Sequence, residues 1–177
     1  MDVWKPYGWS TMRLIDGLTR KEMESSGHQE YSFPLLVPED LLEKENELVS
    51  RLKAARELGV DPSELRMDEE DSGFKKEVYW VTKGGENELD VPMFLRPTSE
   101  TPMYTMFSLW VRSHADLPLK TFQIVNTFRY ETKQTRSFIR VREIHFFEAH
   151  TVHKDEEGAT RQIEQDAEIV QRLMKSL

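Results

Sequence analysis

Apolar positions along the chain change their period several times, and each change marks an element. From Trp9 to Ser26, Met12, Leu14, Ile15, Leu18 and Met23 recur at helical spacing, and Gly27 stands where a helix would stop. Tyr31-Ser-Phe-Pro-Leu-Leu-Val37 reads as a strand, and Pro34, which has no N–H to donate, belongs on an edge or at an interface, a candidate contact with another subunit. Pro38 to Leu58 predicts an acidic helix opened by Pro38 and closed at Gly59, with a further helical turn at Asp61-Pro-Ser-Glu-Leu65. Val78 to Thr82 and Val91 to Arg96 flank Gly84-Gly85 and predict paired strands. Ser99 to Ser113 has helical character, and Phe122 to Glu131 with Phe138 to His150 predicts an antiparallel hairpin. In the last segment, Asp155 to Leu177, the positions Ala159, Ile163, Ala167, Val170 and Met174 fall at three- and four-residue steps, which predicts a helix lying on one face of the sheet.

Hairpin-linked strands between helices argue for an α+β fold, an antiparallel sheet flanked by helices in one domain over residues 1–177. A dinucleotide-binding fold is disfavoured, because no glycine-rich turn joins a strand to a helix. Met67-Asp-Glu-Glu-Asp-Ser-Gly73 is the most linker-like stretch, since its like charges repel and it has little to bury.

Composition narrows the function classes. With 177 residues, 38% of them hydrophobic and 32% charged, the chain belongs among globular proteins. No apolar run approaches the roughly 20 residues of a membrane span, and Met1-Asp-Val-Trp-Lys-Pro6 lacks the apolar core of a secretory signal, so a cytoplasmic protein without a membrane partner is expected. The absence of cysteine excludes disulfides, thiolate-bound zinc and thiol nucleophiles. A net charge of −8 and a pI near 5.2 give no global attraction to nucleic acid. Between Phe128 and Arg142 the balance reverses: Arg129, Lys133, Arg136, Arg140 and Arg142 face only Glu131. A local cationic cluster in an acidic chain suits a small polyanion such as a nucleotide.

Strand alternation puts Arg140, Arg142, Ile144, Phe146, Glu148 and His150 on one face of the second hairpin strand, with Ile139, Val141, Phe147 and Ala149 as the core face. On the first strand Gln123, Thr127, Arg129 and Glu131 share a face opposite Phe122, Ile124, Phe128 and Tyr130. Paired arginines on strands bind phosphate or carboxylate oxygens, which makes this a candidate ligand floor. The competing interpretation is a set of solvated cross-strand salt bridges. His145 and His150 alternate to opposite faces, so no protein-bound metal is expected from the histidine cluster. Phe74, Trp80 and Tyr104 are expected as core or rim aromatics, and Glu100 beside Thr98 has the form of a helix cap.

Arg96-Pro-Thr-Ser-Glu-Thr101, Phe128-Arg-Tyr-Glu131, Thr135-Arg-Ser-Phe-Ile-Arg-Val-Arg-Glu143 and Glu148-Ala-His-Thr151 together resemble the catalytic core of prolyl-tRNA synthetases of the archaeal and eukaryotic type. Residues 22–38, with Pro34, resemble motif 1 of class II aminoacyl-tRNA synthetases, and residues 122–150 resemble motif 2. Seryl, threonyl, histidyl and glycyl enzymes share the hairpin, but the Thr-Ser-Glu loop combined with the Glu-Ala-His end resembles the proline enzyme most.

The resemblance implies ATP-dependent, magnesium-assisted activation of proline to prolyl-adenylate and transfer to tRNA(Pro), in a homodimer formed through motif 1 at Pro34. It implies catalytic roles for Arg129, bridging the substrate carboxylate and α-phosphate, and Arg140, on the triphosphate. Thr98 and Glu100 would hold the imino group, Glu131 and Arg142 would sit on the ATP side, and Phe74, Phe146, Glu148 and His150 would line the proline pocket. Ile144 stands where the family often has an adenine-stacking aromatic, and Ser137 replaces a common proline of the hairpin loop. Nothing in His153 to Leu177 resembles the glycine-rich motif 3, so an incomplete catalytic domain without an anticodon-binding domain is expected, inactive or very weak alone and carrying an apolar patch that the rest would cover. The alternatives are a non-catalytic synthetase-like paralogue that binds an amino acid or a protein, and another class II enzyme such as the seryl or threonyl one.

Overall fold

The computed structural model describes residues 3–42, 59, 77–131 and 135–177. Residues 43–58 of the helix expected over Pro38 to Leu58, the helical turn expected at 61–65 and the linker-like stretch 67–73 lie outside the described residues, as does Phe74. The chain divides into two compact units: residues 1–32, 107–126 and 145–177 form one, and residues 33–106 and 127–144 the other.

The first unit opens with helix α1 (Pro6–Ser25), which has proline in its first turn as the missing N–H allows. Its stop is a Schellman cap: Gly27 N–H donates to Glu24 O at 3.0 Å and His28 N–H to Met23 O at 3.1 Å, with Gly27 at φ +86°. The chain then pairs as β1 (Gln29–Glu30) with β5 (Leu119–Phe128), and β5 pairs in turn with β6 (Glu143–Val152). Thr121 reaches the His150 carbonyl and Gln123 reaches Glu148, so a step forward along β5 meets a step back along β6 and these two strands are antiparallel. The β1–β5 pair is parallel, with Gln29 opposite Thr121, so this sheet is mixed where a wholly antiparallel one was expected.

Helix α3 (Glu156–Ser176) is capped by Asp155, whose Oδ1 accepts the Gly158 N–H at 2.8 Å. The core of this unit is Met23 of α1, Phe122 of β5 and Ile169 of α3, with Ala149 and Leu173 packed against it. The buried stripe of α3 is therefore Gln162, Ile169 and Leu173, one position away from the expected one. Ile163, Val170 and Met174 are exposed, at 70%, 50% and 69%. Gln162 tolerates its buried place because its amide donates to Asp166 at 2.8 Å.

The second unit is built on an antiparallel sheet of β2 (Leu36–Pro38), β4 (Asn87–Leu95) and β3 (Tyr79–Gly84), in that order. The β3–β4 hairpin confirms the pairing expected around Gly84-Gly85, with Gly85 at φ +65° in the turn. Val37, Leu42, Val78 and Phe94 form its core, and Trp80 meets Phe94 edge-on at 5.9 Å. The strand expected over Tyr31 to Val37 is only Leu36–Pro38. Proline restricts its predecessor and breaks the ladder, so Phe33 and Leu35 give their carbonyls to Arg96 instead, at 2.6 Å to its guanidinium and 3.0 Å to its backbone N–H. Pro34 itself is exposed. Helix α2 (Glu100–Trp110) begins in this unit, and the 3-10 turn at His114–Asp116 that follows it in sequence belongs to the first. There the N–H groups of Arg112 and Ser113 hold the Asp116 carboxyl below its usual range.

Two small sheets with helices packed against them make this an α+β protein. Among the described residues no helix is long and apolar enough to cross a membrane.

Candidate active site

Within the second unit, the loop that follows β4 carries Arg96-Pro-Thr-Ser-Glu100 and is fixed at both ends. Arg96 is buried and bonded to the Phe33 carbonyl, and Ser99, fully buried, begins α2 by accepting the Met103 N–H at 2.9 Å. Thr98 Oγ1 donates to the Glu100 carboxylate, a bond between side chains and not the backbone contact of a helix cap. The continuation of β5 is brought to the same loop: Phe128 N–H donates to Arg96 O at 2.9 Å and Arg129 Nε–H to Pro97 O at 3.2 Å. Arg129, Thr98 and Glu100 therefore lie on one short stretch of joined backbone.

Arg140 and Arg142 do not stand on the strand expected from Phe138 onward, because β6 begins at Glu143. Lys133 to Ser137 contains no apolar residue, so burial fixes no register there. The backbone instead makes two separate contacts: Arg129 N–H to Arg142 O at 2.9 Å, and a tight turn in which Arg136 and Arg140 exchange N–H bonds at 2.9 and 2.8 Å. Phe138 sits in that turn at φ +64°, a costly conformation for a bulky residue. Ile139, expected in the core, is 73% exposed.

Glu131 ties these arginines together. Its carboxylate accepts Arg140 Nε–H at 3.0 Å and a second Arg140 N–H at 2.6 Å, and its carbonyl accepts from Arg142 at 3.2 Å. For Arg140 the solvated salt bridge that competed with anion binding is thus present, although neither partner stands on a strand. Because the arginine remains about half exposed, the pair contributes little to stability.

In the first unit, β6 alternates as expected. His145 faces α1, within 3.0 Å of Asp16 and edge-on to Trp9, and Ala149 enters the core. Phe147, expected in that core, reaches the Phe122 ring yet stays exposed at 42%. The other face carries Phe146, half-buried, with Glu148 and His150. Glu148 is 7% exposed, and its two oxygens are divided between neighbours: Gln123 Nε2–H donates to Oε1 at 2.7 Å, while His150 Nε2 lies 3.2 Å from Oε2. Gln123, fully buried on β5, is the residue that strand patterning placed on a ligand floor but gave no role. Its signal was a polar residue flanked by core positions on both sides.

The model of the tRNA synthetase class II core domain (G, H, P, S and T) matches residues 79–177. This chain belongs to the class II aminoacyl-tRNA synthetase core family. Among curated relatives it is 52% identical to a proline–tRNA ligase of Pyrococcus horikoshii, over 100% of this chain and 32% of the relative. It is 50% identical to that of Thermoplasma acidophilum, over 96% of this chain and 32% of the relative. Of solved structures, a Giardia lamblia prolyl-tRNA synthetase in complex with prolyl-adenylate aligns with a TM-score of 0.80 at 38% identity, over 97% of this chain and 30% of that one. A prolyl-tRNA synthetase from Cryptosporidium parvum, complexed with halofuginone and AMPPNP, aligns at 0.77 and 31% identity, over 94% and 30%. The chain thus spans about a third of the length of the curated relatives it matches.

Proposed function

We propose that this chain supplies the proline- and ATP-handling residues of a prolyl-tRNA synthetase, which joins proline to ATP as prolyl-adenylate and passes the prolyl group to tRNA(Pro). The observation that carries this reading is the attachment of Arg129 to the Pro97 carbonyl, beside the hydrogen-bonded Thr98 and Glu100. The reading gives the guanidinium to the substrate carboxylate and α-phosphate, and the Glu100 carboxylate to the secondary ammonium. The relatives named as proline–tRNA ligases, and the Giardia neighbour that holds prolyl-adenylate, support the choice of amino acid.

In this mechanism a proline carboxylate oxygen attacks the α-phosphorus, the bond to the β-phosphate oxygen breaks, and pyrophosphate leaves. No covalent enzyme intermediate forms. Arg129 neutralises charge on the attacking carboxylate and the pentavalent phosphate, where a donor already in place avoids reorganisation at the moment of reaction. Arg140 exchanges Glu131 for the triphosphate, Arg142 and Glu131 stay on the ATP side, and magnesium enters with ATP. Thr98 and Glu100 hold the imino group, while Phe74, Phe146, Glu148 and His150 line the proline pocket. Motif 1 over residues 22–38 forms a homodimer at Pro34, motif 2 extends over residues 122–150, and the enzyme works in the cytoplasm.

The test uses a hybrid in which residues 1–177 replace the matching segment of the Pyrococcus horikoshii relative. Calorimetry with non-hydrolysable prolyl-, seryl- and threonyl-adenylate analogues should show tightest binding of the prolyl compound. Preference for the seryl or threonyl analogue would overturn the assignment.

A further inference from the structure

We infer that Gln123 is a positioning residue for proline recognition, acting through Glu148; the inference rests on the proposed function above. Glu148 is a carboxylate whose side chain is only 5% exposed, and a charge so placed is costly unless each oxygen is met by a donor. The two donors differ in kind. His150, on the same strand two residues away, can turn its ring or change tautomer and so offers an adjustable partner. Gln123 comes from the neighbouring strand, has no exposure of its own, and delivers an amide N–H along 2.7 Å to the other oxygen. It is the shorter contact and the one set by the strand register.

An amide is the side chain suited to this duty. It donates without charge, so it leaves the carboxylate's negative charge available to a cation, and it cannot itself compete for a proton. A secondary ammonium, with two N–H groups and a fixed ring, has few polar handles, so its recognition depends on how rigidly the acceptor is aimed. Being fully buried, Gln123 touches no ligand; its effect passes through the Glu148 carboxylate.

The experiment measures ATP–pyrophosphate exchange in the hybrid protein carrying Gln123→Met, which keeps the shape and removes the donor, and Gln123→Asn, which keeps the amide but withdraws it by one methylene. Loss of a hydrogen bond to a charged group should raise KM for proline about tenfold or more in both, while kcat and KM for ATP change by no more than about twofold. In a Glu148→Gln background, where the acceptor is neutral, Gln123→Met should add about twofold or less, the non-additivity of two residues acting as one unit. If Gln123→Met fails to fold, Gln123→Asn decides in its place. Unchanged KM for proline in a folded variant overturns the inference, as does a parallel loss in KM for proline, KM for ATP and melting temperature. Absence of proline-dependent exchange in the unsubstituted hybrid overturns the functional reading itself, and so is told apart from failure of the Gln123 argument.

Discussion

Under the proposed function Arg129 serves a ligand more than the fold, and this separates activity from stability. One N–H goes to the Pro97 carbonyl, a bond between a charged donor and a half-buried backbone group, and the residue adds no apolar side chain to either core. Arg129→Ala should therefore lower the exchange rate by about 100-fold or more, the cost of removing a donor aimed at a transition state, while unfolding free energy falls by less than about 2 kcal/mol. Kinetics and urea melts on the same preparation check both halves. Arg140 behaves differently, because its exposed partnership with Glu131 contributes little: Arg140→Ala should change stability by at most about 1 kcal/mol and act mainly on KM for ATP. That pairing shows where sequence patterning was incomplete. It placed Arg129 and Arg140 on opposed strands and allowed both anion binding and a salt bridge, and the structure shows Glu131 engaging Arg140. Gln123 escaped because an isolated polar residue in a strand carries no sign of whether it faces solvent or a buried carboxylate.

Elements with strong local signals were legible. Helix α1 ended at the glycine that its pattern required, and the hairpin around Gly85 formed where two apolar runs met at a glycine pair. Gly27 has open space where a Cβ would stand, so Gly27→Ala tests the backbone alone: at φ +86° it should destabilise by about 1–2 kcal/mol, measured by denaturant unfolding. Elements whose fate depends on tertiary partners were misjudged. The segment around Pro34 reads as a strand by composition, yet a buried arginine from another part of the chain takes its carbonyls. The stripe of α3 shifted by one position because Ile169, not Val170, meets Met23 and Phe122. Ile169→Ala should accordingly cost about 2–5 kcal/mol, whereas Val170→Ala should stay within about 1 kcal/mol.

At the scale of the whole molecule, a buried imidazole makes stability depend on pH. The side chain of His28 is wholly buried, its Nδ1 lies 2.8 Å from Ser26 Oγ, and its Nε2 makes no hydrogen bond among the described residues. Burial pushes its pKa down; Asp166 on α3 and the Met23 carbonyl oppose the shift, while Lys120 on β5 and His153 reinforce it. Below the ordinary value of 6.5 the unfolded chain binds a proton that the folded one refuses. The stability held by the neutral ring is thus complete above that pH and lost progressively as pH falls toward the depressed folded value. Thermal melts at pH 7.5 and 5 should show a larger drop for the natural protein than for His28→Gln. Nothing in the linear pattern around Gly27-His28-Gln29 announces this, since the charged groups that act on the ring include Lys120 of β5 and Asp166 of α3, far along the chain.

The central claim, that this family member is built to activate proline, is tested most directly by amino-acid-dependent ATP–pyrophosphate exchange in the hybrid with the Pyrococcus horikoshii relative. The account predicts exchange that requires proline and disappears with Arg129→Ala. Exchange driven better by serine or threonine, or proline-driven exchange that survives loss of Arg129 at full rate, would contradict it.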